Sequence, residues 1–235
     1  MEKINYSALE RLTVPRPVDR LDFISSCVSG KRVLDLGAYD ETALDNKDKK
    51  YWLHGRIAET AEYVIGIDNS DRLPNNGVVT SAKSKIVKIS IFDIHKIIEP
   101  YDIDILVAGE LIEHLPDTLS FLSYIKSFDE FKNKKIILTT PNASCLSNLI
   151  LGMFGMENND VNHLQIYSLK TLNTLFTRAG FQGWEFQPYH EIFPEMVKRS
   201  RGLMKIATIF FQKIVNLGEF CCPLLSGGWI ATITI

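Results

Sequence analysis

The stretch that decides the fold is "KRVLDLGAYDETAL", residues 31–44, in which an apolar run reaches a glycine and then a polar loop. This order is typical of a buried strand that ends in a ligand-binding turn. A pyrophosphate-binding turn would continue as G-x-G-x-x-G, but Tyr39 fills the second glycine position and Thr42 the third. Because Asp40 and Glu41 add negative charge beside them, the loop disfavours a dinucleotide and suits a ligand that carries an amine and a sulfonium.

Apolar runs of this kind recur along the chain, with helical patterns between them. Five of them are followed by polar or Gly/Pro/Asn turns, at residues 32–36, 63–67, 85–90, 103–109 and 134–140. Two further strands are predicted at residues 184–193 and 228–235. Near-continuous apolar strands indicate a sheet that is covered on both faces. The alternation of strand and helix therefore predicts an α/β fold with a doubly wound, mostly parallel sheet.

We expect one domain over residues 1–235, because no repeat, low-complexity tract or linker interrupts the sequence. Residues 51–63 place apolar side chains at helical intervals and predict the first crossover helix, after a polar loop over residues 39–50. Another helix is expected over residues 168–180, between a serine cap and a glycine. Residues 193–228 exceed what a minimal sheet needs and predict a helical insertion or cap between the last two strands.

The composition disfavours several classes of protein. The 235 residues carry a formal net charge of -2 and a pI near 6.2, so nothing draws the whole chain to nucleic acid. The four cysteines show no C-x-x-C spacing, which disfavours a zinc cluster or a disulfide framework. The first dozen residues are charged and lack an apolar signal region. We therefore expect a cytoplasmic protein with no nucleic acid partner.

Acids follow three successive predicted strands, at Asp35, Asp68 and Asp93. Ligands of such sheets bind beyond the carboxyl ends of the strands, so these side chains should line one crevice. A carboxylate accepts hydrogen bonds from both hydroxyls of a ribose, and we assign that contact to Asp68. Alternatives stay open, because Asp68 with Asn69 and Ser70 also resembles a helix cap. Asp35 and Asp93 are also compatible with acids that only cap or form turns.

Six motifs occur in one order along the chain: "VLDLGAYDE", "YVIGIDNS", "SIFDI", "DILVAGELIEHLPD", "IILTTPN" and "LQIYSLKTLNTLFTRAGF". In this order the sequence resembles the class I S-adenosylmethionine-dependent methyltransferases, most closely the small-molecule branch with an E-H-L-P-D motif. The resemblance covers about residues 18–190. It implies a Rossmann-like sheet of seven strands, with an antiparallel last strand and helices on both faces. The first loop departs from the family pattern D-x-G-x-G-x-G, since only Gly37 of its glycines is present.

The resemblance implies S-adenosylmethionine as the cofactor. Gly37 would let the backbone lie against the donor, and Asp35 would organise this turn or meet the donor's amino group. Asp68 would hold the ribose, residues 92–94 would meet the adenine, and residues 108–110 would line the methyl side. We expect the cofactor-binding residues to be Asp35, Gly37, Tyr39, Asp68, Asn69, Phe92, Asp93, Ile94, Ala108 and Gly109. The ring of Tyr39 either faces the sulfonium as a cation–π partner or only packs the loop.

The candidates for catalysis follow the fourth predicted strand. Glu110, Glu113 and His114 stand at i, i+3 and i+4, so a helical start would set them on one face at the crevice mouth. There, His114 would act as a general base, or the three residues would bind a divalent metal. The alternative is a charged, solvated turn. His163 either faces the acceptor or is a loop histidine, and we take Glu110, His114 and His163 as catalytic candidates without a metal.

Two functions from different classes are compatible with these residues. The first is methyl transfer from S-adenosylmethionine to a small-molecule acceptor, for which we expect an oxygen of a sugar, a lipid-linked glycan or another metabolite. Such a transfer needs an aligned acceptor and a proton acceptor rather than a nucleophile triad. The alternative is a binding or scaffold domain of the same fold, which the altered first loop keeps open. An NAD-dependent oxidoreductase is disfavoured by the missing glycines.

Residues 193–228 support two interpretations, and the oligomeric state is not predicted. Apolar residues recur at helical intervals, while Lys198, Arg199, Arg201, Lys205 and Lys213 give the segment a basic character. One interpretation is an amphipathic cap that closes over the acceptor and makes peripheral contact with a membrane. The other is a helix that packs on the sheet and completes the core.

Overall fold

The computed structural model describes residues 10–40, 51–98 and 101–235. Most of the predicted polar loop, including Glu41 and Thr42, lies outside these ranges. The strands are β1 (Arg32–Leu36), β2 (Tyr63–Asp68), β3 (Val78–Ser81), β4 (Ser84–Lys88), β5 (Ile105–Gly109), β6 (Lys135–Pro141), β7 (Gly183–Tyr189) and β8 (Gly228–Thr234). They form one sheet in the order β3-β4-β2-β1-β5-β6-β8-β7.

Helices connect most of these strands. They are α1 (Arg20–Val28), α2 (Leu53–Thr60), α3 (His95–Ile98), α4 (Thr118–Lys126), α5 (Leu146–Met153), α6 (Leu169–Arg178), α7 (Pro194–Arg199) and α8 (Gly202–Cys221). Short 3₁₀ turns lie at Ile91–Asp93, Ile112–His114, Asp129–Phe131 and Pro223–Leu225. Helix α6 begins at the expected cap, because Ser168 accepts from the Thr171 N–H and the Thr171 side chain accepts from the Ser168 N–H.

The sheet confirms the predicted doubly wound, mostly parallel architecture. Strand β1 runs parallel to β2 and β5, β2 to β4, and β5 to β6, while β8 runs antiparallel to both β6 and β7. Strand β7 is therefore parallel to β6, and its carboxyl end lies at the same edge as those of β1, β2 and β5. The sheet has one strand more than expected, since β3 pairs antiparallel with β4 at an edge. The residues of β3 alternate between half-buried and exposed, so no apolar run marks it.

Alternate side chains of the central strands enter two hydrophobic layers, one on each face of the sheet. Leu34 and Leu36 pack into the layer that α4 and α6 cover, whereas Val33 packs into the layer that α1 and α2 cover. This two-sided burial explains why the central strands are apolar at nearly every position. It also leaves polar side chains at the strand ends, where the edge of the sheet opens to solvent.

Helices α7 and α8 occupy the segment between β7 and β8. Helix α8 is 20 residues long, yet only Thr208, Val215 and Glu219 of it are buried. Its opposite side exposes large apolar side chains, namely Leu203, Ile206, Phe210, Ile214 and Leu217. Among the residues that the structure describes, no helix has the length and apolar character needed to cross a membrane.

Candidate active site

The turn after β1 is built around Gly37. Its φ of +71° lies in the left-handed region, and a Cβ at this position would lie 2.8 Å from Leu111 Cδ1. The N–H groups of Gly37 and Ala38 both donate to the carbonyl of Ile67, at 2.9 and 3.1 Å. The turn is thereby tied to the end of β2, which brings the ends of the first two strands into one crevice.

Asp35 lies beneath this turn and is only 2% exposed. The Nδ1–H of the buried His54 donates to Asp35 Oδ2 at 2.9 Å, and His54 Nε2 lies 3.2 Å from Thr80 Oγ1. These contacts join Asp35 to the helix that follows the turn, and its predicted contact with the donor's amino group stays a prediction.

Asp68, at the end of β2, is held by two backbone groups. Its Oδ2 accepts from the Tyr39 N–H at 3.1 Å and its Oδ1 from the Ser70 N–H at 2.8 Å. Burial raises the pKa of Asp68, and these hydrogen bonds oppose that shift. Since each carboxylate oxygen accepts more than one hydrogen bond, both oxygens remain able to receive a ribose hydroxyl. Tyr39 is buried in a cluster with Trp52 and Leu73, and its contact with the sulfonium stays a prediction.

The residues predicted to meet the adenine differ in their accessibility. Asp93 pairs with Lys96 at 2.7 Å, which lowers the pKa of Asp93. Phe92 is 45% exposed, so it offers a ring face to a ligand, whereas Ile94 is fully buried. Asn69 is exposed beside Asp68.

Glu110 follows β5 with a φ of +51°, an uncommon value for a residue with a side chain. Its Oε1 accepts from Thr139 Oγ1 at 3.0 Å and from the Tyr189 hydroxyl at 2.9 Å, and it pairs with Arg20 Nη1 at 3.1 Å. Burial raises the pKa of Tyr189 well above its usual value, so this hydroxyl stays a donor. The carboxylate of Glu110 is therefore fixed at the edge of the sheet, beyond the buried Ala108 and the half-buried Gly109.

The predicted face of Glu110, Glu113 and His114 does not form, because residues 112–114 adopt a 3₁₀ turn and Glu110 points to Arg20. Instead, His163 lies beside Glu113 and His114. The N–H groups of residues 164 and 165 donate to the Glu113 carbonyl at 2.8 and 3.2 Å, which brings this distant segment to the turn.

In the resulting cluster, possible ligand atoms of Glu113, His114 and His163 lie within 4.8 Å of one another. Glu113 is fully buried; its Oε2 accepts from Thr140 Oγ1 at 3.0 Å, while Oε1 has no partner within the described part of the chain. Burial, then Glu110, raises the pKa of Glu113 to about 9. Burial, then His114, lowers the pKa of His163. One carboxyl and two imidazoles can exchange protons or bind a divalent cation.

A cavity of about 330 Å³ opens at the same edge of the sheet. The predicted residues Glu110 and His163 line it. Arg20, His190 and Glu191 also line it, although they were not among the predicted site residues. A usable signal existed for His190 and Glu191, since they directly follow β7, and strand ends are where ligands bind in such sheets.

Comparisons with known proteins agree with this geometry. A family model described as "Methyltransferase domain" matches residues 9–185, which is more than half of the chain. Among curated proteins, none matches the sequence significantly.

Solved structures resemble the fold at low sequence identity. A SAM-dependent methyltransferase from Archaeoglobus fulgidus is 16% identical with a TM-score of 0.51, over 92% of this chain and 94% of that chain. The small RNA methyltransferase HEN1 is 17% identical with a TM-score of 0.55, over 92% of this chain and 24% of that chain. The plantazolicin methyltransferase BamL, in complex with a triazolic desmethylPZN analog and SAH, is 12% identical with a TM-score of 0.51, over 92% and 84%. The chain therefore belongs to the methyltransferase domain family, as an enzyme whose cofactor is S-adenosylmethionine.

Proposed function

We propose that this methyltransferase acts on a hydroxyl oxygen of a small polar acceptor. The observation that carries the proposal is the cavity of about 330 Å³ beside Glu110, whose volume is at the small end of ligand sites. Its lining is rich in carboxyl, amide and imidazole groups, which suit a polar molecule. A polymer would reach this cavity only with a terminal unit.

We propose that the donor binds at the opposite end of the crevice. The Gly37 turn offers backbone without a side chain, and Asp68 offers two fixed oxygens for the ribose. Phe92 offers an exposed ring for the adenine. We therefore propose that the methyl group enters the cavity past Gly109 and Glu110.

Two roles are open to the cluster of Glu113, His114 and His163. In the first, a histidine takes the acceptor's proton; His163 lines the cavity, and His114 donates from Nδ1 to the Asn162 carbonyl at 3.2 Å. The second role is to bind a divalent cation. The unpartnered Glu113 Oε1 favours this role, because a cation would supply the partner that a buried carboxylate needs. Such a cation would lower the pKa of Glu113 and orient oxygens of the acceptor.

Incubation with methyl-labelled S-adenosylmethionine and a cell extract tests the reaction. The extract is split into neutral glycan, lipid, nucleic acid and protein fractions, and the labelled products are identified by mass spectrometry. We expect an O-methylated product in the glycan or lipid fraction, and much less of it with Asp68→Ala as the control at a donor concentration below saturation. Label confined to nucleic acid or protein would contradict the proposed acceptor. A rise in melting temperature with the donor but no transfer to any fraction would instead support the scaffold alternative.

We also propose that helix α8 contacts a membrane surface. The exposed charged residues of α8 are Lys205 and Lys213, while its acid, Glu219, is buried. Lysines that flank an apolar face are typical of helices that lie in the interface of an anionic bilayer. Helix α5 extends the apolar surface, because it contacts α8 at Leu146 and Gly218 and exposes Met153 at its end.

The position of this segment connects the membrane contact to the cavity. Ile192, directly before residues 193–228, and Pro194, at their start, line the cavity. A lipid-linked acceptor held at the bilayer surface would then reach the active site without leaving the membrane.

A further inference from the structure

His190 lies at the end of β7, on the wall of the cavity, and is paired with an acid from the inserted segment. Its Nδ1 lies 2.7 Å from Glu219 Oε2, and the Glu219 side chain is completely buried within α8. The N–H of His190 also donates to the Val18 carbonyl at 3.0 Å, which fixes the backbone of the histidine.

Within the described residues, three donors contact the carboxyl of Glu219, and the carboxyl of Glu191 also lies close enough to interact with it. Its Oε1 accepts from the N–H groups of Glu191 at 3.0 Å and Gly227 at 2.9 Å, in addition to the contact of Oε2 with His190. Burial raises the pKa of Glu219, and the hydrogen bonds from His190 and the two backbone groups oppose that shift. A carboxylate held by two N–H groups accepts from the imidazole. His190 therefore carries its proton on Nδ1 and keeps the lone pair of Nε2.

The rest of the lining indicates the chemical class of the acceptor. Asp19, Glu110 and Glu191 contribute carboxyl groups, whereas the guanidinium of Arg20 already pairs with Glu110. This excess of carboxyl groups disfavours a phosphate or another anion. Burial raises the pKa of Glu191, and a hydrogen bond with Ser147 opposes that shift. Asparagine side chains at positions 148, 158 and 159 add amide donors and acceptors, a combination suited to several hydroxyls.

We propose that the cavity binds a neutral polyhydroxylated acceptor such as a sugar ring, and that His190 Nε2 takes the proton of the methylated hydroxyl, with Glu219 as its positioning residue. The acceptor oxygen forms the new bond to the methyl carbon. The carbon–sulfur bond breaks, its electron pair stays on sulfur as S-adenosylhomocysteine leaves, and the imidazolium returns its proton to solvent. The inference rests on the proposed methyl transfer to oxygen. It assigns the base to His190, which leaves the cation role to the cluster of Glu113, His114 and His163, and it adds the acceptor class.

The pairing is testable without any acceptor, by long-range ¹H–¹⁵N NMR of the histidine rings in the full-length protein. We expect the Nδ1–H tautomer for His190 in the wild type, and a loss of that preference in Glu219→Gln. The surface residue His95 provides the control, because Glu219→Gln should leave its signals unchanged. An Nε2–H tautomer of His190 in the wild type would overturn the assignment of the base.

The catalytic part uses the same fractionated cell extract and labelled donor. We expect His190→Gln to lower the transfer rate about 100-fold or more while the donor Kd stays within about twofold. Glu219→Gln should lower the rate less, and His95→Gln should match the wild type. Added imidazole should partly restore transfer in His190→Ala, which a purely structural role would not allow.

The results distinguish a failure of this inference from a failure of the proposed methyl transfer. Transfer by the wild type together with an undiminished rate in His190→Gln would overturn the base while leaving the methyltransferase intact. A methylated product that lacks neighbouring hydroxyls would overturn the acceptor class. Absence of transfer by the wild type to every fraction would overturn the proposed function and this inference with it.

Discussion

Asp68 and Asp93 follow strands in similar ways, yet the structure gives them different surroundings. Asp68 presents two oriented oxygens inside the crevice, whereas Asp93 pairs with Lys96 at the surface. Hydrogen bonds to a charged group contribute about 1.5–3 kcal/mol each. We therefore predict that Asp68→Ala weakens S-adenosylmethionine binding by at least about tenfold, and that Asp93→Ala changes it less than about threefold.

Isothermal titration calorimetry with S-adenosylmethionine measures both variants. Because Asp68 also anchors the N–H groups of Tyr39 and Ser70, thermal unfolding without ligand must show that the variant remains folded. Equal and small losses of affinity in both variants would contradict the ribose contact proposed for Asp68.

The buried carboxyl of Glu113 makes stability depend on pH. Its pKa is raised from 4.5 to about 9 in the folded state. The unfolded chain therefore loses this proton first, and the contribution to the free energy of unfolding falls as pH rises between these two values. In the presence of a chelator, we predict a steeper decline of stability from pH 5 to pH 9 in the wild type than in Glu113→Gln. Urea unfolding at three pH values measures the free energy of unfolding of both proteins. The same pH dependence in both would contradict a raised pKa of Glu113.

A divalent cation would reverse that dependence, because it stabilises the ionised form of Glu113. Adding Mg²⁺ or Mn²⁺ at pH 8 should raise the melting temperature of the wild type and leave Glu113→Gln unchanged. A double variant of His114 and His163 to Gln should lose the same response. A response that survives in these variants would place the cation elsewhere.

Single residues of the site could be predicted only where local sequence determines them. Gly37 and Asp68 were predictable, since a turn and a strand end follow from the neighbouring pattern. The positive φ of Glu110 was not predictable, because the carboxylate is held by Arg20 and Tyr189, which are both distant in sequence. The pairing of His190 was not predictable for a related reason, since its partner Glu219 lies 29 residues further along the chain.

At the scale of elements, predictability followed burial. Strand β1 matches the predicted residues 32–36 because both of its faces are covered by helices. Strand β3 was missed, since an edge strand with one exposed face needs no apolar run. Strand β7 ends at Tyr189, before the predicted residue 193, because the aromatic and apolar residues that follow it leave the sheet for the cavity wall and α7.

Two glycines permit a matched comparison: Gly37 in the turn after β1, and Gly30 in the turn between α1 and β1. Gly37 and Gly30 have φ values of +71° and +68°, but only Gly37 has a neighbour, Leu111, within 4 Å of an added Cβ. We predict that Gly30→Ala and Gly37→Ala each lose about 1–2 kcal/mol of stability from the left-handed backbone. Gly37→Ala should additionally weaken donor binding, because Leu111 or the turn must move. Urea unfolding and calorimetry measure the two effects, and equal donor affinity in both variants would contradict a donor contact at this turn.

At the scale of the whole molecule, the two halves of the sheet carry different tasks. The ends of β1 and β2 form the proposed donor side, through Gly37 and Asp68. The ends of β5 and β7, with the inserted helices, form the proposed acceptor side, and α8 contributes Glu219 to it. Replacement of residues 195–222 by a short Gly/Ser loop would thus remove both the apolar face and the partner of His190. Point variants on the outer face of α8 are needed to separate these effects.

Helix α8 offers such variants, because Ile206 and Phe210 are 65% and 64% exposed and face away from the buried Glu219. We predict that the wild-type protein floats with vesicles that contain anionic lipid, and that Ile206→Glu and Phe210→Glu each weaken this association at least about tenfold. Val79→Glu is the matched control, since Val79 is 78% exposed on β3 and its substitution adds the same charge. The two α8 variants should keep wild-type affinity for S-adenosylmethionine, because the proposed donor side lies on the other half of the sheet. Vesicle flotation measures lipid binding, and light scattering measures the oligomeric state. If the wild type forms a dimer that both α8 variants dissociate, and no lipid binding is seen, this face binds a second copy of the chain. That result would contradict the membrane contact.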